Sequence, residues 1–381
     1  MAGSTWRLPA LNYLVQGHVT TGAPMDAQRT ELEQWILGNL APEPSSTAEL
    51  MYERMESQSG RCLPVLYEPI DRSKRSHWHD EALIGAIAHA VGDAHVVLDV
   101  GPGDGWPALR IARRFERVIG IDPSPRRVRV QRENAARLGI ENVEFLEMDV
   151  LSIGFDDASF GGVTAASSIE QSEDPEKALR EVHRVLVPGG RLAMIFEDYE
   201  TCLSGSGDEK LRAELNSDEA VVFYQVRRKS PPRETWYALF LDGGRLAQDQ
   251  AFVEAVQSIS ESPLELEDAE GNGGANGRPE MLGVTLFAGL APLTTHAKYF
   301  ELSHQTSSSV DELLGRVGFV DMRHLDHRLP ELLDFYDTAK AAGKLDAGGP
   351  VFEIVAEVFG ISAVERAGSG PGDFVIARKP A

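Results

Sequence analysis

Three glycines on alternate positions, Gly101, Gly103 and Gly105, follow an acidic residue, Asp99, in the stretch VVLDVGPGDGWP that spans residues 96–107. Glycine adopts positive φ without strain and lets a ligand approach the backbone closely, so this spacing marks a loop shaped around a bound molecule. A second carboxylate, Asp122, ends the apolar run RVIGID 17 residues beyond Gly105, near the ~20-residue offset at which an acid accepts from both hydroxyls of a ribose. Pro123 and Ser124 already serve the start of the next helix, which leaves the Asp122 side chain for another task. A pyrophosphate-binding loop needs a third glycine, here at position 106, to let helix and strand pack closely. Trp106 stands there, so the loop is a poor cradle for a dinucleotide.

Hydrophobic periodicity supplies the elements that position these groups. VVLDV, apolar but for Asp99, reads as a short strand buried on both faces. Pro107 suits the first turn of the helix LRIARRF, whose N-terminal N–H groups and positive dipole end face the loop. RVIGID is a second strand, and NVEFLEMDV a third that ends at Asp149. Between them SPRRVRVQRENAARLG forms a helix whose arginines lie away from Val128 and Leu138 and read as solvated. A fourth strand, GGVTAASS, leads to Glu170, then to a helix opened by Asp174-Pro175 and a fifth strand entered through Pro188-Gly189-Gly190. Such alternation predicts a parallel sheet covered on both sides. Ligands of open sheets bind beyond the carboxyl ends of the strands, which makes Glu170 the best-placed candidate for a catalytic group; the bland alternative is a solvent-facing acid at a helix start.

Length and composition set outer bounds. The 381 residues suffice for two average domains or one core with large additions. A net charge of −22 repels phosphate backbones and anionic lipid, which argues against nucleic acid or a membrane surface as the main partner. Cys62 and Cys202 are far apart and suggest neither a disulfide framework nor a zinc site. No window approaches the ~18 apolar residues of a membrane span, and the first residues do not form a convincing signal peptide, so a cytoplasmic location is expected.

The run from Val96 to Glu197 resembles class I S-adenosylmethionine (SAM)-dependent methyltransferases, in particular the group acting on quinones and other small molecules. The resemblance implies an α/β, doubly wound, mostly parallel seven-stranded sheet with helices on both faces. It implies SAM as cofactor, with Asp99, Gly101, Gly103 and Gly105 at its amino-acid end and Asp122 and Pro123 at the ribose. Asp149 would accept from the adenine amino group, and the Val150 N–H would meet a ring nitrogen. Two positions depart from the family: Gly161 stands where an Asp usually follows the Phe of FDDASF, and Glu170-Gln171 replaces the common His-containing pairs. Three functions stay open. A methyltransferase acting on a small-molecule acceptor leads; a non-catalytic SAM-binding sensor or partner subunit is second; aminopropyl transfer is third, although Ser167-Ser168 lacks the acidic pair that would hold an amine.

The additions divide the chain further. Residues 1–80 read as an N-terminal helical addition, with a stretch from Gly60 to Trp78 that is either a lid-like segment, as the resemblance implies, or a linker packed on the core; 81–200 as the SAM-binding core; 201–306 as a large insertion after the fifth strand; and 307–381 as the end of the core with a helical insertion. His77, Tyr199 and Trp236 are candidates for a substrate pocket. His77, His79 and Asp80 lack a further ligand, so no metal site is expected, and Asp80 reads as the N-cap of DEALIGAIAHAV. In the insertion, WYALFLDGGRL and MLGVTLFAGLAPL read as strand-like and DQAFVEAVQSIS as a helix. Its Phe223, Tyr224, Trp236, Tyr237, Phe240, Leu282 and Phe287 must be buried somewhere, either as a substrate cap or in a homo-oligomer interface.

Overall fold

Runs of apolar residues need cover on both faces, and the chain provides it in two units, Met1–Met51 with Tyr199–His304 and Tyr52–Asp198 with Gln305–Ala381. The computed structural model describes residues 17–19, 29–52, 71–203, 205–215, 219–261, 284–345 and 351–381. Its first strands are β1 (Gly17–Val19), β2 (Glu43–Pro44), β3 (Val96–Val100), β4 (Arg117–Asp122), β5 (Val143–Glu147), β6 (Phe160–Ala166) and β7 (Leu186–Ile195). The others are β8 (Gly207–Leu215), β9 (Glu219–Lys229), β10 (Pro232–Asp242), β11 (Thr294–Ser303), β12 (Val320–Leu325) and β13 (Phe374–Arg378). The helices are α1 (Glu31–Asn39), α2 (Arg75–Val91), α3 (Ala108–Ile111), α4 (Pro125–Leu138), α5 (Pro175–Val185) and α6 (Tyr199–Cys202). There follow α7 (Gly243–Leu246), α8 (Gln250–Glu261), α9 (Val284–Leu290), α10 (Ser307–Val317), α11 (Pro330–Ala341) and α12 (Val351–Glu365).

The second unit holds a seven-stranded sheet in the order β12-β13-β7-β6-β3-β4-β5. From β7 to β5 the pairings are parallel, and β13 runs antiparallel to both neighbours. Alternate side chains feed two cores. Val97, Val118, Ala193 and Ile376 join α2, α11 and α12 through Ile84, Leu332 and Phe352. Leu98, Ile119, Leu192 and Val375 join α5 and α10 through Leu179 and Leu314. This is the doubly wound sheet that the alternation implies.

Three local expectations are corrected here. α2 begins at Arg75 behind Lys74, so Asp80 sits in its second turn and is not its cap. The helix after the glycine loop is one α-turn continued by a 3-10 turn, Ala112–Arg114. Arg127 of α4 is buried, against the expectation of a solvated arginine face. The segment beyond Pro330 forms α11 and α12, and the Trp78 ring of α2 meets Phe352 of α12 edge-on at 4.5 Å.

The first unit is a six-stranded sheet, β1-β8-β9-β10-β11-β2, antiparallel except for the β11–β2 pair. Leu32 and Ile36 of α1 pack with Tyr224, Leu239, Val256 and Phe287 on one face, while Leu50, Phe223, Trp236 and Phe240 cluster on the other. The aromatic residues of the insertion are thus consumed by this unit's own cores, and their apolar surface no longer requires a second subunit or a ligand to bury it. The described part of MLGVTLFAGLAPL, residues 284–293, corrects to α9 and a 3-10 turn, because Leu286, Phe287 and Leu290 reach one cluster at helical spacing. Ala48–Tyr52 forms a five-residue wide turn. The residues that follow it, most of 60–78, Cys62 and Leu282 lie outside the described residues. Among the described residues no helix is long and apolar enough to cross a membrane.

Candidate functional site

The glycine loop leaves β3 at the middle of the parallel sheet. Asp99 is fully buried beneath it; Thr164 Oγ1 and the Ala108 N–H each donate to one of its oxygens at 2.9 Å. The first N–H of α3 is therefore spent on Asp99, whose role is to tie loop, strand β6 and helix together. Burial pushes this carboxyl up to about 7, against the two donors that favour its charge. Since the unfolded group titrates at 3.8, the folded chain holds a proton that the unfolded chain has lost between those values, and stability falls as pH rises through that window. Asp99→Asn removes the titration. Its stability relative to wild type should climb between pH 4 and 7 by on the order of 4 kcal/mol, read from urea unfolding; a difference independent of pH would contradict this account of Asp99.

Gly101, Gly103 and Gly105 all have positive φ, at 66°, 57° and 117°. A Cβ on Gly101 would stand 2.5 Å from the Ser168 Cβ, and one on Gly105 would stand 2.3 Å from Leu109 Cδ1, so the loop has no room for side chains there. Ser168 packs against Gly101 and donates to the Val100 carbonyl at 2.6 Å. Gly161 has a similar reason: a Cβ would lie 2.9 Å from that of Ala94, which excludes the Asp usual in the family.

α4 holds the loop from below with a polar stripe that sequence reasoning missed. Arg127 Nη1 donates to Asp104 Oδ1 at 2.6 Å, and Asn134 Nδ2 to the Asp104 carbonyl at 3.1 Å. Between them Gln131 Nε2 donates to the Gly103 carbonyl at 2.8 Å and to Asp122 Oδ2 at 3.3 Å. These residues fall at i, i+4 and i+7, one helix face. That spacing was present in the sequence, but the density of arginines around it suggested solvent.

Asp122 ends β4, 5% exposed, and its Oδ1 accepts from the Ser124 N–H at 3.0 Å. Pro123 beside it is exposed. Two residues past the end of β5, exposed Asp149 caps the 3-10 turn Val150–Ser152 by accepting from the Leu151 N–H at 2.8 Å, and Val150 is buried. Glu170 lies in the 3-10 turn Ile169–Gln171 beyond β6 and is only 3% exposed, so it is not a solvent-facing acid. The sheet thus gathers the cofactor candidates and Glu170 at the carboxyl ends of four neighbouring strands, β6-β3-β4-β5.

The substrate candidates belong to different units. His77 is buried in the first turn of α2, where its Nδ1 accepts from the Asp71 N–H at 2.9 Å; burial and nearby Lys74 hold its pKa below the usual histidine range. His79 turns elsewhere, with Nε2 2.8 Å from the His327 carbonyl oxygen. Tyr199 and Trp236 belong to the first unit and meet on one carboxylate: Tyr199 O–H donates to Glu234 at 2.8 Å, and the Trp236 indole N–H donates to it as well. His304 stacks on Tyr199 at 4.1 Å, with Nε2 2.8 Å from Glu234, an ion-pair distance without hydrogen-bond alignment. Burial pushes Glu234 up, but His304, Tyr199 and Trp236 outweigh it and hold the carboxyl down at about 2.

A family model described as a methyltransferase domain matches residues 98–194. A demethylmenaquinone methyltransferase of Thermus thermophilus is 41% identical over 101 residues, covering 26% of this chain and 46% of that protein. An uncharacterized methyltransferase of Bacillus subtilis, YcgJ, is 37% identical over 101 residues, or 26% and 40% of the two chains. The crystal structure of YcgJ aligns at 32% identity over 30% of this chain and 50% of that one, with a TM-score of 0.30. The chain spans about half the length of the curated relatives it matches.

Proposed function

We propose that this chain, whose core is a class I SAM-dependent methyltransferase domain, transfers the methyl group of SAM to a small-molecule acceptor that its inserted unit selects. The observation that carries the reading is the glycine loop: three positive-φ positions, two of them closed to any Cβ, with the Asp122 carboxylate at the end of the adjacent strand. This cradle suits a cofactor that approaches backbone at one end and offers a ribose at the other. Trp106 in place of a third glycine argues against a pyrophosphate.

SAM, when bound, supplies the activated methyl carbon, so orientation and desolvation fall to the protein. In this reading Asp122 accepts from the ribose hydroxyls, while Gln131 keeps that carboxylate in register with Gly103. Asp149 and the Val150 N–H serve the adenine. Glu170, a buried carboxylate beyond β6, is the group we assign to take a proton from the acceptor. Relatives named for quinone methylation support a small molecule, and the net charge of −22 disfavours nucleic acid.

Titration of the full chain with S-adenosylhomocysteine (SAH), NAD and FAD tests the reading. SAH should bind one per chain and the dinucleotides should not. Asp122→Ala should weaken SAH by about 1–3 kcal/mol through lost charge-assisted hydrogen bonds and remain folded by circular dichroism. A dinucleotide that binds more tightly than SAH, or an Asp122→Ala chain that binds SAH as well as wild type, would sink the assignment.

A further inference from the structure

The first unit contains a cavity of about 330 Å3 that the methyl-transfer reading does not use, lined by residues of α1 and of strands β9, β10 and β11. This volume lies at the small end of the range for ligand pockets, about 300–1,000 Å3. Its lining combines strong charge with two tyrosines, Tyr237 and Tyr299. Tyr237 and Tyr299 face each other across the β10–β11 register, their rings 6.1 Å apart and inclined by 23°. Burial and the neighbouring Glu33 carboxylate keep Tyr237 protonated.

The charges do not balance. Arg228, 6% exposed, donates to Glu33 Oε2, which also takes the Thr30 N–H at 2.8 Å, while Tyr237 O–H donates to Glu33 Oε1 at 3.3 Å. That pair is locked and electrically closed. Among the described residues Arg233 is held by a half-exposed contact of 3.3 Å to Glu301, a kind of pair worth little in water. Arg29 lines the same cavity and, among the described residues, has no carboxylate partner. In a chain of net charge −22 the cavity thus keeps, among the described residues, one guanidinium in excess and a second easily released.

We infer that this cavity binds a small aromatic carboxylate, its ring over Tyr237 and Tyr299 and its carboxylate between Arg29 and Arg233. Guanidinium groups pair bidentately with planar carboxylates, and stacked rings accept a planar body edge-on or offset. Charge selects the acid; the aromatic floor selects against simple inorganic anions. The inference stands apart from methyl transfer, since none of its residues belongs to the SAM-binding core.

Calorimetry of the full chain with benzoate, 4-hydroxybenzoate and 1-naphthoate, each beside its neutral amide and beside inorganic phosphate, tests it. The acids should bind at least about tenfold more tightly than the amides and phosphate, the ratio that one charge-assisted pair supplies. The double variant Arg29→Met, Arg233→Met should lose that preference while SAH affinity and the melting temperature stay unchanged. No binding of any acid, equal binding of acids and amides, or full binding by the double variant overturns the proposal. Phosphate binding as tightly as the acids overturns its aromatic part. SAH binding reports on the other reading separately: its loss with acid binding intact counts against methyl transfer only.

Discussion

Gly103→Val is expected to weaken SAH by more than about a hundredfold, a loss of roughly 3 kcal/mol, while the far-UV spectrum of the fold persists. The residue has φ of 57°, where a β-branched side chain is a true outlier. Relief of that strain means moving the peptide, and the Gly103 carbonyl is the acceptor for Gln131. Gln131 in turn holds Asp122, so a displaced loop also releases the carboxylate assigned to the ribose. Two ends of the cofactor site fail together. Gly103→Ala, which brings the strain without the branched bulk, should lose markedly less. Equal losses in the two variants, or normal SAH binding by the valine form, would show that the loop conformation is not what the cofactor needs.

Removal of the first unit should leave SAH binding within about threefold of wild type and abolish methyl transfer to the acceptor. The four hydrophobic clusters permit this cut, because each draws its residues from a single unit. Excision of residues 201–306 alone is the wrong construction: it would strip Leu32 and Ile36 of α1 of the sheet they pack on and expose them. It would also delete Thr306, the N-cap of α10. Residues 1–51 must go as well, and the joint belongs between Asp198 and Gln305, which already pair in an isolated bridge. A short linker can span them. In the proposed reading the cofactor site is generic to its fold, so choice of acceptor comes from what is added to it. Retained turnover with loss of self-association would instead make the unit an interface between copies.

How much could be read from sequence varies with how local the signal is. The glycine loop, Asp122 and the seven-stranded sheet were legible because strand, turn and helix follow one another within a few residues, and each apolar run is either buried on both faces or on one. Gln131 was not, because its partners, Gly103 and Asp122, are distant in sequence and only the closed sheet brings them under α4. Asp80 looked like a cap because a polar residue preceded an apolar stripe, yet buried His77 and Trp78 extend that helix by more than a turn. The first unit was hardest: α1 and β2 lie far from the insertion in sequence, and joining them to β8–β11 needs tertiary packing that no local pattern carries. The strand-like reading of residues 284–293 failed for a related reason, since a short apolar run is ambiguous until its cover is known.

The central claim is that this chain moves a methyl group to a small molecule. The full chain, incubated with methyl-labelled SAM and a metabolite extract, should transfer label to the low-molecular-weight fraction and release SAH, and Gly103→Val and the chain without its first unit should not. Label that appears only in protein or nucleic acid, or that never leaves SAM although SAM is bound, would contradict it.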